Sequence, residues 1–153
     1  MNWYKKSQFG QEDLQNINNP NIIVQPYEPL IQEVVEEIRT KNANFFQGVN
    51  QINIDTGFGQ FGSVGSTDPT DININLNKIR SEVMTQLNGN FDENNPEHRQ
   101  VLKEKIEEVI VHEKGHVQDA AEVQEKSDEP LQGQDLFPGG EPVAERAVEQ
   151  YFN

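Results

Sequence analysis

One run of apolar residues at helical spacing constrains this chain more than any other feature in it. Leu102, Ile106, Val109, Ile110 and Val117 fall three, four or seven positions apart, the period at which side chains share one face of an α-helix. The run opens on Asn95-Pro96-Glu97, which supplies a side-chain cap, a proline at the first helical position and an acid in the first turn. Nothing breaks the pattern decisively before Ser127-Asp128-Glu129-Pro130, and Gly115 is its one weak point. A chain of 153 residues is long enough for one domain with one core. Any site must therefore be assembled within a single compact unit that contains this long helix.

The rest of the chain supplies smaller elements. Residues 1–28 are polar and punctuated by Pro20 and Pro26, with one β-prone run at Ile22-Ile23-Val24. They read as an extended N-terminal arm able to add a strand, ahead of a single domain at 29–153. Leu30, Ile31, Val34, Val35 and Ile38 form the stripe of a first amphipathic helix ending near Thr40. Ile52-Asn53-Ile54 and then Ile72, Ile74 and Leu76 alternate with period two. Between them Gly57, Gly59, Gly62 and Gly65 interleave with Phe58, Phe61 and Val64, which predicts two or three antiparallel strands joined by glycine-rich turns. These glycines do not form a phosphate-binding loop, because no Gly-Lys-Ser/Thr follows and no helix starts there. A short helix is expected at 77–87, broken by Asn88-Gly89-Asn90, and a loop at 127–140. A final helix is expected from Glu141-Pro142 close to the C-terminus. The fold class is therefore α+β, an antiparallel sheet with a long helix and a C-terminal helix.

Charge and composition narrow the partners. A net charge of −14, from 26 acidic against 12 basic residues, repels nucleic acid and anionic membranes and favours cations and basic peptides. Cysteine is absent, so a metal would have to be held by His, Asp or Glu. The opening Met1-Asn2-Trp3-Tyr4-Lys5-Lys6 lacks the apolar stretch of a secretion signal, and no run approaches membrane-spanning length. The expectation is a soluble, cytoplasmic protein.

Inside the long helix stands His112-Glu113-Lys114-Gly115-His116. Residues four apart lie one turn apart on one helix face, so two imidazoles can reach one zinc ion. Glu113 projects about 100° around the helix from His112, beside the metal, where it can take a proton from a metal-bound water. With 3 histidines in the chain, random placement gives this pattern roughly 0.007 times, so coincidence is a poor account of it. Catalytic zinc normally takes three protein ligands. Glu141 at the start of the last helix, Glu145 one turn later and Glu122 just after the motif all compete for the third place. Glu145 could instead orient a histidine, and Glu122 would need a sharp turn that Asp119 does not favour. His98, nearly four turns upstream, reads as part of the helix start.

His112-Glu113-x-x-His116 followed by Glu141-x-x-Ala144-x-x-Ala147 resembles the gluzincin arrangement of zincin metallopeptidases. It is similar in particular to the minimal gluzincins and the ImmA/IrrE-type peptidases, over about residues 101–150. The resemblance implies a small zincin-like domain, a zinc-dependent protease activity and Glu141 as third ligand. It also implies a peptide or protein substrate bound in extended form along a sheet edge, for which Ile72-Asn73-Ile74-Asn75-Leu76 is the expected strand. Glu145 stands where thermolysin-like members carry an aspartate that supports a histidine. No histidine follows the motif, so help for the oxyanion must come from elsewhere, with Tyr151 the candidate. Two other readings compete: a non-catalytic module whose zinc only staples two helices, and an enzyme held latent by its own N-terminal arm or C-terminal tail lying in the cleft. Glu113 separates the first of these from an enzyme, since a structural site has no use for a general base.

Overall fold

The computed structural model of the chain describes residues 22–65, 69–131 and 133–153. The body of the expected arm, residues 1–21, lies outside them. Its last few residues form strand β1 (Ile23–Gln25), followed by helix α1 (Pro29–Lys41), β2 (Gln51–Ile54), β3 (Gly62–Val64) and β4 (Asp71–Ile74). Helix α2 (Leu76–Gln86), the long helix α3 (Pro96–Glu125), a single 3₁₀ turn (Gly133–Leu136) and helix α4 (Gly140–Phe152) complete the chain. The α+β class is as expected, with a four-stranded sheet, a long helix and a C-terminal helix.

Each helix begins where its sequence signals place it. Glu28 caps α1 by accepting from the Leu30 N–H, with Pro29 in the first turn. The Asn75 side chain accepts from the Lys78 N–H at the head of α2. Asn95 accepts from the N–H groups of Glu97 and His98 at the head of α3, with Pro96 behind it. Such caps satisfy backbone donors that the first helical turn leaves without partners. His98 serves this same corner, its Nδ1 accepting from the Asp92 N–H at 3.0 Å. Asn88 and Gly89, both with positive φ, end α2 as left-handed residues do.

The sheet departs from expectation. Its strand order is β1-β2-β4-β3, with β1, β2 and β4 parallel and only β3 antiparallel, against β4. The expected antiparallel sheet is thus a mixed one. Period-two alternation reports which face a side chain takes and is the same in both directions, so the pattern itself carried no direction. A second correction follows: residues 71–74 are not an edge strand, because β4 pairs with β2 on one side and β3 on the other. The free edge beyond β4 is β3.

Across the sheet, Val24, Ile52, Ile72 and Val64 stand in register, and the first three are buried in the main core. This is the face that the helices cover. The opposite face carries Gln51, Asn53, Asp71, Asn73 and Ser63, whose side chains hydrogen-bond to one another across three strands. The long helix α3 is the hub: it packs against α1, α2, α4, β3 and β4. Ile106, Ile110, Ile31, Ile38 and Phe46 are completely or almost completely buried around it, each contributing about 1.5–3 kcal/mol of transfer free energy. Lys103 and Arg99 of α3 pair with Glu37 and Glu33 of α1 on the outer side. Among the described residues no helix is long and apolar enough to cross a membrane.

Candidate metal centre

His112 and His116 lie one turn apart near the middle of α3, and their rings meet edge to face with centroids 5.2 Å apart. Both present Nε2 to one carboxylate. Glu141 Oε2 is 3.1 Å from His112 Nε2, and Glu141 Oε1 is 3.0 Å from His116 Nε2. One ligand atom from each of these three residues lies within 4.8 Å of the others. Among the described residues theirs is the only such group of three or more.

The donor set fits a zinc ion. Tetrahedral zinc with bonds of about 2.0–2.1 Å sets its ligand atoms roughly 3.3 Å apart, and the two histidine–carboxylate distances fall a few tenths of an ångström short of that. Two neutral imidazoles and one carboxylate are also the ligand chemistry of catalytic zinc centres. His116 Nδ1 is buried with no partner, so the engaged nitrogen of that ring is the one facing Glu141. The competing acids stand aside. Glu145 is exposed and outside the group, and Glu122 accepts a hydrogen bond from Gln118 on the surface of α3.

Glu113 points off the same helix beside this group, its Oε2 3.9 Å from His112 Nε2. It is almost fully buried, and among the described residues it makes no hydrogen bond. Burial, and secondarily the Glu141 carboxylate, push its pKa from 4.5 up to about 8, the direction expected when the charged form is desolvated beside a like charge. The residue above it is Gly62 of β3. A Cβ at Gly62 would stand 2.9 Å from Glu113 Cγ and 2.8 Å from Val109 Cγ1, so only glycine lets the edge strand lie this close to the buried acid. Sequence reading placed Gly62 in a turn. Its signal was available in the apolar residues flanking it, Phe61 and Val64.

The other side of the centre is built on small residues. A Cβ at Gly115 would lie 3.0 Å from both Ala144 Cα and Ala147 Cβ. The apparent weak point of the long helix is therefore where α4 comes close enough for Glu141, in its first turn, to reach the histidines. Ala144 is the fully buried residue of α4. The Ala144-x-x-Ala147 spacing is what matches Gly115 across the interface.

Tyr151 is not brought to this centre. It lies ten residues beyond Glu141 on α4, about 15 Å along the axis. Its hydroxyl donates to Glu107 Oε2 at 2.6 Å, an oxygen that Lys41 Nζ also approaches at 2.6 Å. Burial, then the Glu107 contact, raises the Tyr151 pKa. The oxyanion role expected for Tyr151 has no geometric basis, because helix length, invisible in the residue itself, carries it to another part of the fold. A cavity of about 450 Å³ lies at that end, lined by Lys41, Glu107, Val148 and Phe152 among others, and none of the three converging residues lines it. Compared with protein-family models, with curated proteins and with solved structures, the chain matches none of them.

Proposed function

We propose that the protein is a zinc-dependent metallopeptidase of zincin-like fold, gluzincin-like in its ligand set. The observation that carries this reading is the convergence of His112 Nε2, His116 Nε2 and a Glu141 carboxylate oxygen beside the buried Glu113, whose Oε2 stands 3.9 Å from His112 Nε2. Zinc held there would acidify a water molecule and polarise a carbonyl. Glu113 takes a proton from the attacking water and passes it to the departing amine. Burial raises its pKa in the metal-free chain, and the positive charge of a bound zinc ion would oppose that rise and favour the ionised form that accepts the proton. The free edge of β3 runs over Glu113, so an extended peptide added to that edge places a backbone carbonyl near the centre. Pairing through backbone groups gives tolerance of sequence, and the acidic surface favours basic peptides.

A structural zinc site is the weaker reading. Such a site closes its fourth position with another protein ligand, and Glu113 stays outside the ligand group at the cost of its own desolvation.

Zinc content of purified wild type, Glu113→Gln and Glu141→Gln, with casein cleavage assayed in parallel, tests the proposal. Wild type should hold one zinc and cut. Glu113→Gln should keep the metal and lose about 10²–10⁴-fold in rate, and Glu141→Gln should lose the metal. A wild type that binds no zinc overturns the proposal, and one that binds zinc but leaves casein intact favours the structural site.

A further inference from the structure

We infer that Asp119 is a positioning residue, whose carboxylate reaches from α3 to fix the backbone turn that sets Glu141 against the two histidines. The inference rests on the metal-site reading above and names the part that completes its ligand set. Glu141 needs such a part. Its side chain is 66 % exposed, and no packing around it fixes where the carboxylate goes. Its position is inherited from the backbone at the start of α4, and that start is soft. Gly139 and Gly140 precede it in sequence, and Gly139 offers no side-chain cap. Two glycines in succession leave the chain more conformations to lose than any other pair.

Three observations show how the turn is held. The Gly139 N–H donates to Asp119 Oδ2 at 2.9 Å, a charge-assisted bond of the stronger kind. The Gly140 N–H donates to the Phe137 carbonyl at 3.1 Å, and the Phe137 ring meets His116 edge-on at 6.0 Å. A Cβ at Gly139 would fall 2.1 Å from Val143 Cγ2 and 3.1 Å from the same Asp119 oxygen, while Gly140 has φ +56°. Both glycines are thus required by the shape that Asp119 secures. Asp119 stands on α3 less than one turn after His116, so one rigid helix fixes both the two imidazoles and the turn that delivers the carboxylate. A negative charge near the first turn of α4 also favours the helix dipole.

Zinc affinity, measured by competition with a chromophoric chelator, is the first readout for wild type, Asp119→Ala and Asp119→Asn. Loss of a residue that orients a ligand costs about 10–100-fold in metal affinity, and Asp119→Ala should show that loss. Asp119→Asn keeps an acceptor oxygen for the Gly139 N–H and should stay within about threefold of wild type. Val83→Ala, in the remote core of α2, serves as a control that lowers stability without lowering affinity. The second readout needs no metal. Nuclear Overhauser contacts between the ring protons of His112 and His116 and the side chain of Glu141 should be present in metal-free wild type, absent in Asp119→Ala and restored in Asp119→Asn. Contacts that survive in Asp119→Ala, with zinc affinity unchanged, overturn the role of Asp119. Contacts that depend on Asp119 in a protein that binds no zinc uphold the positioning role and overturn the metal site instead.

Discussion

Between pH 4.5 and about 8 the folded chain keeps a proton on Glu113 that the unfolded chain gives up. The folded state then binds more protons at this site, so the contribution of Glu113 to stability is greatest below pH 4.5 and falls as the pH rises towards 8, by up to about 1.4 kcal/mol per unit. In metal-free protein the melting temperature of wild type should therefore fall relative to Glu113→Gln across this range, because glutamine has no proton to lose. Melting curves of the two proteins that stay parallel from pH 5 to 8 would show that the acid is not desolvated. The identity of this acid was legible in the sequence, as were His112 and His116, because spacing along one helix determines which side chains share a face. Glu141 was legible as one of three candidates, and choosing among them required the crossing of two helices. Asp119 was seen only as a residue ill suited to a sharp turn; its hydrogen bond to a backbone N–H twenty positions later leaves no periodic trace. Tyr151 misled because its distance from the centre is a matter of helix length.

Helices were readable to within a residue or two from caps and apolar stripes, whereas strand partners were not. The pattern at 52–54 and 72–76 described two half-buried strands correctly, and the stretch between them allowed a third, but neither carried the direction or the order of pairing. A connection through α1 makes β1 and β2 parallel, as a crossover of that length does. The strand that follows β2 in sequence goes to the edge, and β4 takes the place beside β2. Two glycines at element contacts allow the two sides of the proposed centre to be tested apart. Valine at Gly62 would press on Glu113 and Val109 while leaving the ligand set untouched. Gly62→Val should keep its zinc and lose on the order of 10²-fold in kcat/KM, the scale of a displaced reacting group. Valine at Gly115 would press on the Ala144 backbone and the Ala147 side chain, costing about 1–3 kcal/mol by overpacking. Gly115→Val should weaken zinc binding as α4 is pushed away. Equal zinc affinity in the two variants, measured by chelator competition, would contradict this division.

At the scale of the whole molecule, the net charge of −14 acts at a distance. The Debye length falls from about 30 Å at 0.01 M salt to about 8 Å at physiological strength, so attraction of a basic peptide should weaken over that interval. KM for a lysine-rich substrate is expected to rise with added salt and that for a neutral one to stay nearly constant; identical responses would remove charge from the account of substrate choice. The same scale shows how unevenly the molecule is held together. Helix α3 buries eleven of its residues, including Leu102, Ile106 and Ile110, whereas α4 fully buries Ala144 alone. Helix α4 is held instead by its close approach to Gly115 of α3 and by the partly buried Val148 and Tyr151, which pack against the main core, with Glu141 at its exposed end. An ion shared between Glu141 and the histidines of α3 would add a bolt at the end of that seam where packing is thinnest.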